Sequence, residues 1–113
     1  MSKSEDDVRL SHMLDAARKA TEFVRNRNRV DLDRDEQLTL ALIRLLEIIG
    51  EAAKSVTSAF KQRHPSIAWK EIAGTRDRLI HGYFDVDLDI VWQIVTQDLR
   101  KLITVLEKIV SAQ

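Results

Sequence analysis

The 113 residues contain no cysteine, which rules out a disulfide, a thiolate nucleophile or a zinc–sulfur centre within them. One proline and three glycines leave few breakpoints, a composition that favours long helices over the turn-punctuated strands of a β domain. An excess of one charge is lacking too, since 18 Lys and Arg balance 18 Asp and Glu for a formal net charge of zero. Broad non-specific nucleic-acid binders are strongly basic, so this balance argues against one, although a few placed arginines suffice for a compact phosphate site. Long uncharged apolar runs are missing, and the opening Met1–Asp7 stretch has no apolar segment of signal-peptide type. A soluble, cytoplasmic protein is expected, with one domain over residues 1–113.

What is present is amphipathic periodicity. Leu10, Leu14, Ala17, Thr21 and Val24 recur at alternating spacings of four and three, which predicts a first helix from about Ser4 to Asn26. The polar run Arg25–Arg29 ends it. Asp33 is the expected cap of a second helix, with Glu36 closing a capping box. Its stripe is Leu38, Leu42, Leu45, Ile49, Ala52, Val56 and Phe60, and Leu40, Ile43 and Ile48 form a second apolar row that suits a central helix or a subunit interface. His64-Pro65 stops this helix, because the residue before proline avoids helical dihedrals. Ser66 is a plausible cap for a short helix with Trp69 and Ile72, and Gly74-Thr75 bends or restarts it. Asp87 caps a last helix repeating Leu88, Trp92, Val95, Leu99, Leu102, Leu106 and Ile109. The expected fold is all-α, an antiparallel bundle of four to five helices.

One stretch looks like chemistry rather than scaffold: Arg76-Asp77-Arg78-Leu79-Ile80-His81-Gly82-Tyr83. Five residues of ideal helix separate Arg76 and His81 by about 140°, so they share a face only if the helix ends or bends between them. Arginine presents a planar fork of donors that suits a phosphate. Histidine titrates near neutral pH and can take a proton from a hydroxyl or give one to a leaving oxygen. Together they suffice for metal-free RNA cleavage, in which the 2′-hydroxyl attacks the neighbouring phosphate. One histidine supplies one acid–base group, so a dimer could bring a second alongside. On spacing alone the ordinary reading outweighs this one: Arg76 and Arg78 as surface ion pairs with Asp77 or Asp85, and His81 at a helix C-terminus.

The segment Trp69–Phe84 resembles the signature of the HepT-like family, part of the HEPN superfamily of helical ribonucleases. That family carries arginine, four residues, histidine, one residue, tyrosine, with a polar residue after the arginine. Arg76, Asp77, His81 and Tyr83 match each position, and Ile49–Lys54 and Asp87–Trp92 also look like family segments. The resemblance covers nearly the whole chain. It implies the HEPN-like bundle and the toxin of a type VII-like toxin–antitoxin pair: a metal-independent endoribonuclease, tRNA among its candidate targets, needing no cofactor. By the same resemblance Arg76 would hold phosphate, His81 would move protons, and Asp77 would orient one of them. The active cleft would form across a homodimer, or a higher oligomer. A minimal nucleotidyltransferase antitoxin would transfer AMP to Tyr83, placing negative charge beside Arg76 in competition with RNA. The alternative is a non-catalytic helical module that binds such a nucleotidyltransferase as its substrate or regulatory subunit. A third reading is an adaptor bundle assembling larger complexes.

Other residues carry less. Asp85, Asp87 and Asp89 open like a calcium loop, but Ile90 stands where glycine is needed and Thr96 where glutamate should close it, so capping is the better reading. His12 and His64 are isolated and read as structural or surface groups. Arg25, Arg27 and Arg29 read by default as a solvated helix exit, with contact to RNA backbone as the alternative. Glu51 could pair with a motif arginine or sit exposed. Trp69 and Trp92 read as core or interface anchors.

Overall fold

The computed structural model describes residues 4–80 and 85–112. Helix α1 spans Glu5–Phe23 and begins at a complete capping box. The Ser4 hydroxyl accepts from the Asp7 N–H at 3.1 Å, and the Asp7 carboxylate accepts from the Ser4 N–H at 3.2 Å. Glu5, Asp6 and Asp7 load the first turn with the charge that the helix dipole favours. The helix ends three residues short of the expected Asn26, which instead takes a left-handed conformation (φ 62°) that asparagine tolerates better than most residues.

A single turn, α2 (Asp31–Arg34), precedes α3 (Glu36–Ser55). The cap of α3 is Asp35, not the expected Asp33. Asp35 has the extended backbone that a cap requires (φ −115°, ψ 92°), and its carboxylate accepts from the Leu38 N–H at 3.0 Å. Asp33 is taken up inside α2 and pairs with Arg29 at 3.1 Å. The buried stripe of α3 is Leu38, Leu42, Leu46, Ile49, Gly50 and Ala53. Leu46 and Ala53 thus replace Leu45 and Ala52, which are half-buried. A strict seven-residue pattern drifts about 20° per heptad on a straight helix, and the buried face here follows 3.6 residues per turn instead.

Helix α3 also stops earlier than the apolar spacing suggests. Val56 turns extended and Thr57 caps a separate α4 (Ser58–Arg63), which ends at His64 ahead of Pro65. Phe60 still reaches the core from this new helix. The junction is tied to the start of α1, where Asp6 accepts from the Thr57 N–H at 3.0 Å and its hydroxyl at 2.6 Å.

Helix α5 (Trp69–Ala73) starts after Ala68 with no side-chain cap, so Ser66 does not play that part. Its anchor is the buried Trp69, whose indole N–H donates to the His64 carbonyl at 3.0 Å and whose ring meets Phe60 edge-on. Gly74 separates α5 from α6 (Thr75–Leu79), as the sequence suggests. Asp87 caps α7 (Leu88–Gln93) through the Asp89 and Ile90 N–H groups, also as expected.

The last rod continues through one π-helical stretch, Ile94–Asp98, into α8 (Leu99–Ser111). Before it Val91 is fully buried while Trp92 is half-buried; after it Leu99, Leu102 and Leu106 carry the core. Helices α1, α3 and the α7–α8 rod enclose one continuous apolar cluster, and an Arg18–Glu107 ion pair at 2.8 Å ties α1 to α8. The outcome is the expected all-α, HEPN-like bundle. Among the described residues no helix is long and apolar enough to cross a membrane.

Candidate functional site around Arg76

The position of the motif segment is set at Gly50. A Cβ added there would lie 3.1 Å from the Ile72 carbonyl oxygen, so the backbone of α5 rests directly on α3 at this point. A residue with a side chain would have to push that carbonyl back by a few tenths of an ångström. Thr75 then closes the α5–α6 corner: its buried hydroxyl donates to the Ile72 carbonyl at 2.8 Å. With the corner fixed, α6 lies along α3 and Arg76 reaches Glu47, Nε to Oε2 at 4.0 Å.

This pair is loose. The Arg76 side chain is 70% exposed against 24% for Glu47, and an ion pair this long and wet contributes little to stability. Glu47 orients the guanidinium while leaving most of its donors open. Helix α6 ends at Leu79, and Ile80 adopts an extended conformation (φ −108°, ψ 115°), so the helix terminates before His81. Ile80 then pairs with Val86 in an antiparallel bridge, and the Asp87 N–H donates to the Leu79 carbonyl at 2.8 Å. These two contacts bring the end of α6 and the approach to α7 together. His81 and Tyr83 fall between Ile80 and Val86 in sequence and lie outside the described residues.

Asp77 is exposed, and among the described residues its carboxylate has neither an ion pair nor a hydrogen bond. Arg78 turns away from Arg76. It helps line an apolar groove of about 290 Å³ between α5–α6 and the π turn and α8, with Leu46 and Ile49 of α3 also in its walls. Glu51, the carboxylate that sequence reasoning singled out on α3, is exposed; the residue beside Arg76 is Glu47, one turn earlier. The two are four apart on one helical face, so composition alone cannot choose between them.

Arg25, Arg27 and Arg29 each meet carboxylates. Arg25 is 3.5 Å from Glu22 and Arg27 is 3.2 Å from Asp35. Arg29 bridges Asp33 and Asp89, at 3.1 and 2.7 Å, and so fastens the α1–α3 connection to the start of α7. Hydrogen bonding to Asp89, and to Asp33, holds the Arg29 guanidinium even more firmly protonated than usual. His12 is exposed on α1, and His64 is half-buried with its ring 4.5 Å from that of Phe60. Among the described residues no cluster of three His, Cys, Asp or Glu side chains is placed to hold a metal ion.

An exposed arginine fork, loosely oriented by one carboxylate, is suited to a phosphate diester. The chain matches the family described as "Ribonuclease HepT-like" over residues 13–109. It is 40% identical over 109 residues to a protein of Thermococcus cleftensis named "Probable ribonuclease HepT", covering 96% of this chain and 98% of that one. A protein of Caldanaerobacter subterraneus named "Putative RNase" is 41% identical over 93 residues, covering 82% of this chain and 83% of its own length. A third relative, from Methanocaldococcus jannaschii and also named "Putative RNase", is 35% identical over 102 residues, or 90% of this chain and 94% of that one. No solved structure gives a significant match. The match across most of its length, together with these relatives, places this chain in the HepT-like ribonuclease family.

Proposed function

We propose that the protein is a metal-independent endoribonuclease and the toxin of a toxin–antitoxin pair. The observation that carries this reading is the placement of Arg76, whose side chain is 70% exposed, loosely oriented by Glu47, and one helical turn ahead of Ile80, where the chain bridges to Val86. Family membership and the relatives named as ribonucleases support the same chemistry.

In the proposed reaction Arg76 holds the non-bridging oxygens of one phosphate. His81 takes the proton of the adjacent 2′-hydroxyl, whose oxygen attacks phosphorus while the 5′-oxygen departs, leaving a 2′,3′-cyclic phosphate. The departing oxygen needs a proton as well. A second copy of the motif across a homodimer supplies that group, with Asp77 helping to orient Arg76 or His81. Uncovered apolar surface supports such a dimer: the groove lined in part by Thr75 and Arg78, and Leu40 on α3, which is 57% exposed.

Inhibition follows from the same electrostatics. A nucleotidyltransferase antitoxin would join AMP from ATP to the Tyr83 oxygen and release pyrophosphate. The added phosphate would then occupy the Arg76 fork in place of RNA. The test is incubation of the purified chain with a defined set of RNAs, tRNA included, in EDTA. Cleavage is expected, with Arg76→Ala and His81→Ala each reducing it by about 100-fold or more. Folded variants that cleave at the wild-type rate would overturn the assignment.

A further inference from the structure

A second feature lies away from the motif. The end of α1, the turn after it and the α7–α8 rod line an open cleft of about 570 Å³. We propose that this cleft is a second contact site for single-stranded RNA, where Arg25, Arg27 and Arg100 hold backbone phosphates and the Trp92 indole stacks a base. The proposal rests on the ribonuclease reading above and deepens it.

Charge is the first support. The chain as a whole is neutral, yet three arginines and one carboxylate, Glu22, line this cleft. Arg100 is exposed and has no ion pair among the described residues. Arg25 meets Glu22 at 3.5 Å with both side chains more than half exposed, a pair that a phosphate can replace at little cost. Arg27 touches Asp35, but Asp35 is already held by the Leu38 N–H as the cap of α3 and does not depend on Arg27.

Backbone geometry is the second. Asn26, in its left-handed conformation, turns the chain between Arg25 and Arg27 so that both line the cleft. On the opposite wall Trp92, Thr96, Arg100 and Ile103 stand at spacings of four, four and three across the π turn, one face of the rod. Trp92 is half-buried, and Val91 rather than Trp92 fills the core at this level. An indole held in the wall of a cationic cleft is the pairing that binds single strands, phosphate on cation and base on ring. Trp92 also lies five residues after Asp87, about 7.5 Å along the helix from the residue that bonds back to the Leu79 carbonyl.

The test measures binding of a short fluorescent single-stranded RNA to the full chain carrying His81→Ala, which leaves the RNA uncut, across a salt series. Arg100→Ala is expected to weaken binding by about five- to tenfold at low salt and to lower the log–log salt slope by about 0.7, the loss of one phosphate contact. Arg100→Lys restores the slope. RNA is expected to quench indole emission, and Trp92→Phe to remove that quenching, while polyglutamate neither binds nor quenches. If RNA binds but Arg25→Ala and Arg100→Ala leave affinity and slope unchanged, this proposal alone falls. Polyglutamate competing on equal terms would assign the cleft to an acidic protein surface and overturn it too. If the wild-type chain neither binds nor cleaves RNA, the ribonuclease reading fails first and takes this site with it.

Discussion

Replacing Gly50 with valine puts a side chain where α5 rests on α3. A Cβ alone would sit 3.1 Å from the Ile72 carbonyl oxygen, about 0.3 Å inside the 3.4 Å at which ordinary contact begins. For alanine two effects oppose each other. Helix propensity returns about 1 kcal/mol, and overpacking costs about 1–3 kcal/mol, so Gly50→Ala should be near neutral or mildly destabilising. Valine adds two methyls to a β-carbon that is already too close, and a helix holds valine largely to one rotamer. The overpacking then dominates, and a loss of about 2–4 kcal/mol is expected. With a urea m-value of about 1.5 kcal/mol/M, the unfolding midpoint should fall by roughly 1.3–2.7 M. The same shift should reach the site, because α5 and α6 move together and α6 carries Arg76. Cleavage by Gly50→Ala should therefore drop several-fold even where stability barely changes. A Gly50→Val chain with an unchanged midpoint and full activity would refute the idea that this contact positions Arg76.

Two further predictions concern stability and the loop. The Thr57 hydroxyl, helped by its N–H, holds the Asp6 carboxyl below the usual carboxylate range. A depressed folded pKa stabilises fully above the unfolded value of about 3.9 and is lost as pH falls through the folded value. Urea titrations at pH 7 and pH 3 should show wild type losing this contribution in acid, and Asp6→Asn losing less. Identical pH dependence in the two chains would rule the contact out as the cause. Asp87→Ala removes the cap of α7 but keeps the backbone bond from residue 87 to the Leu79 carbonyl. It should cost about 1 kcal/mol, seen as a fall in Tm of about 3–6 °C, with RNA cleavage less affected than stability.

The periodicity of the chain made its helical character legible, and Asp87, Gly74 and His64-Pro65 marked true breaks because capping, glycine and proline act locally. Where local signals compete, the sequence misled. Asp33 and Asp35 are both able to cap, and only the formation of α2 decides for Asp35. The apolar spacing from Leu38 to Phe60 runs straight through Val56-Thr57, where Thr57 and Asp6 break the helix by a contact between residues distant in sequence. The same limit applied at the site. Arg76 is visible from its motif, but Glu47 beside it depends on where α6 docks on α3, a matter of backbone approach at Gly50. The arginines at 25, 27 and 29 look alike in sequence. Their partners separate them: Arg29 is locked between two aspartates, whereas Arg25 and Arg27 face the cleft with Arg100, a residue that nothing in the sequence marked.

In the proposed reaction Arg76 and His81 cleave RNA without a metal, through attack by the 2′-hydroxyl. Its most direct test is the chemistry of the new ends formed when the purified chain cuts a defined RNA in EDTA. Expected are 2′,3′-cyclic phosphates on the upstream fragments and 5′-hydroxyls on the downstream ones, with both absent for His81→Ala. Products ending in 3′-hydroxyl and 5′-phosphate, or cleavage that requires a divalent metal, would contradict it.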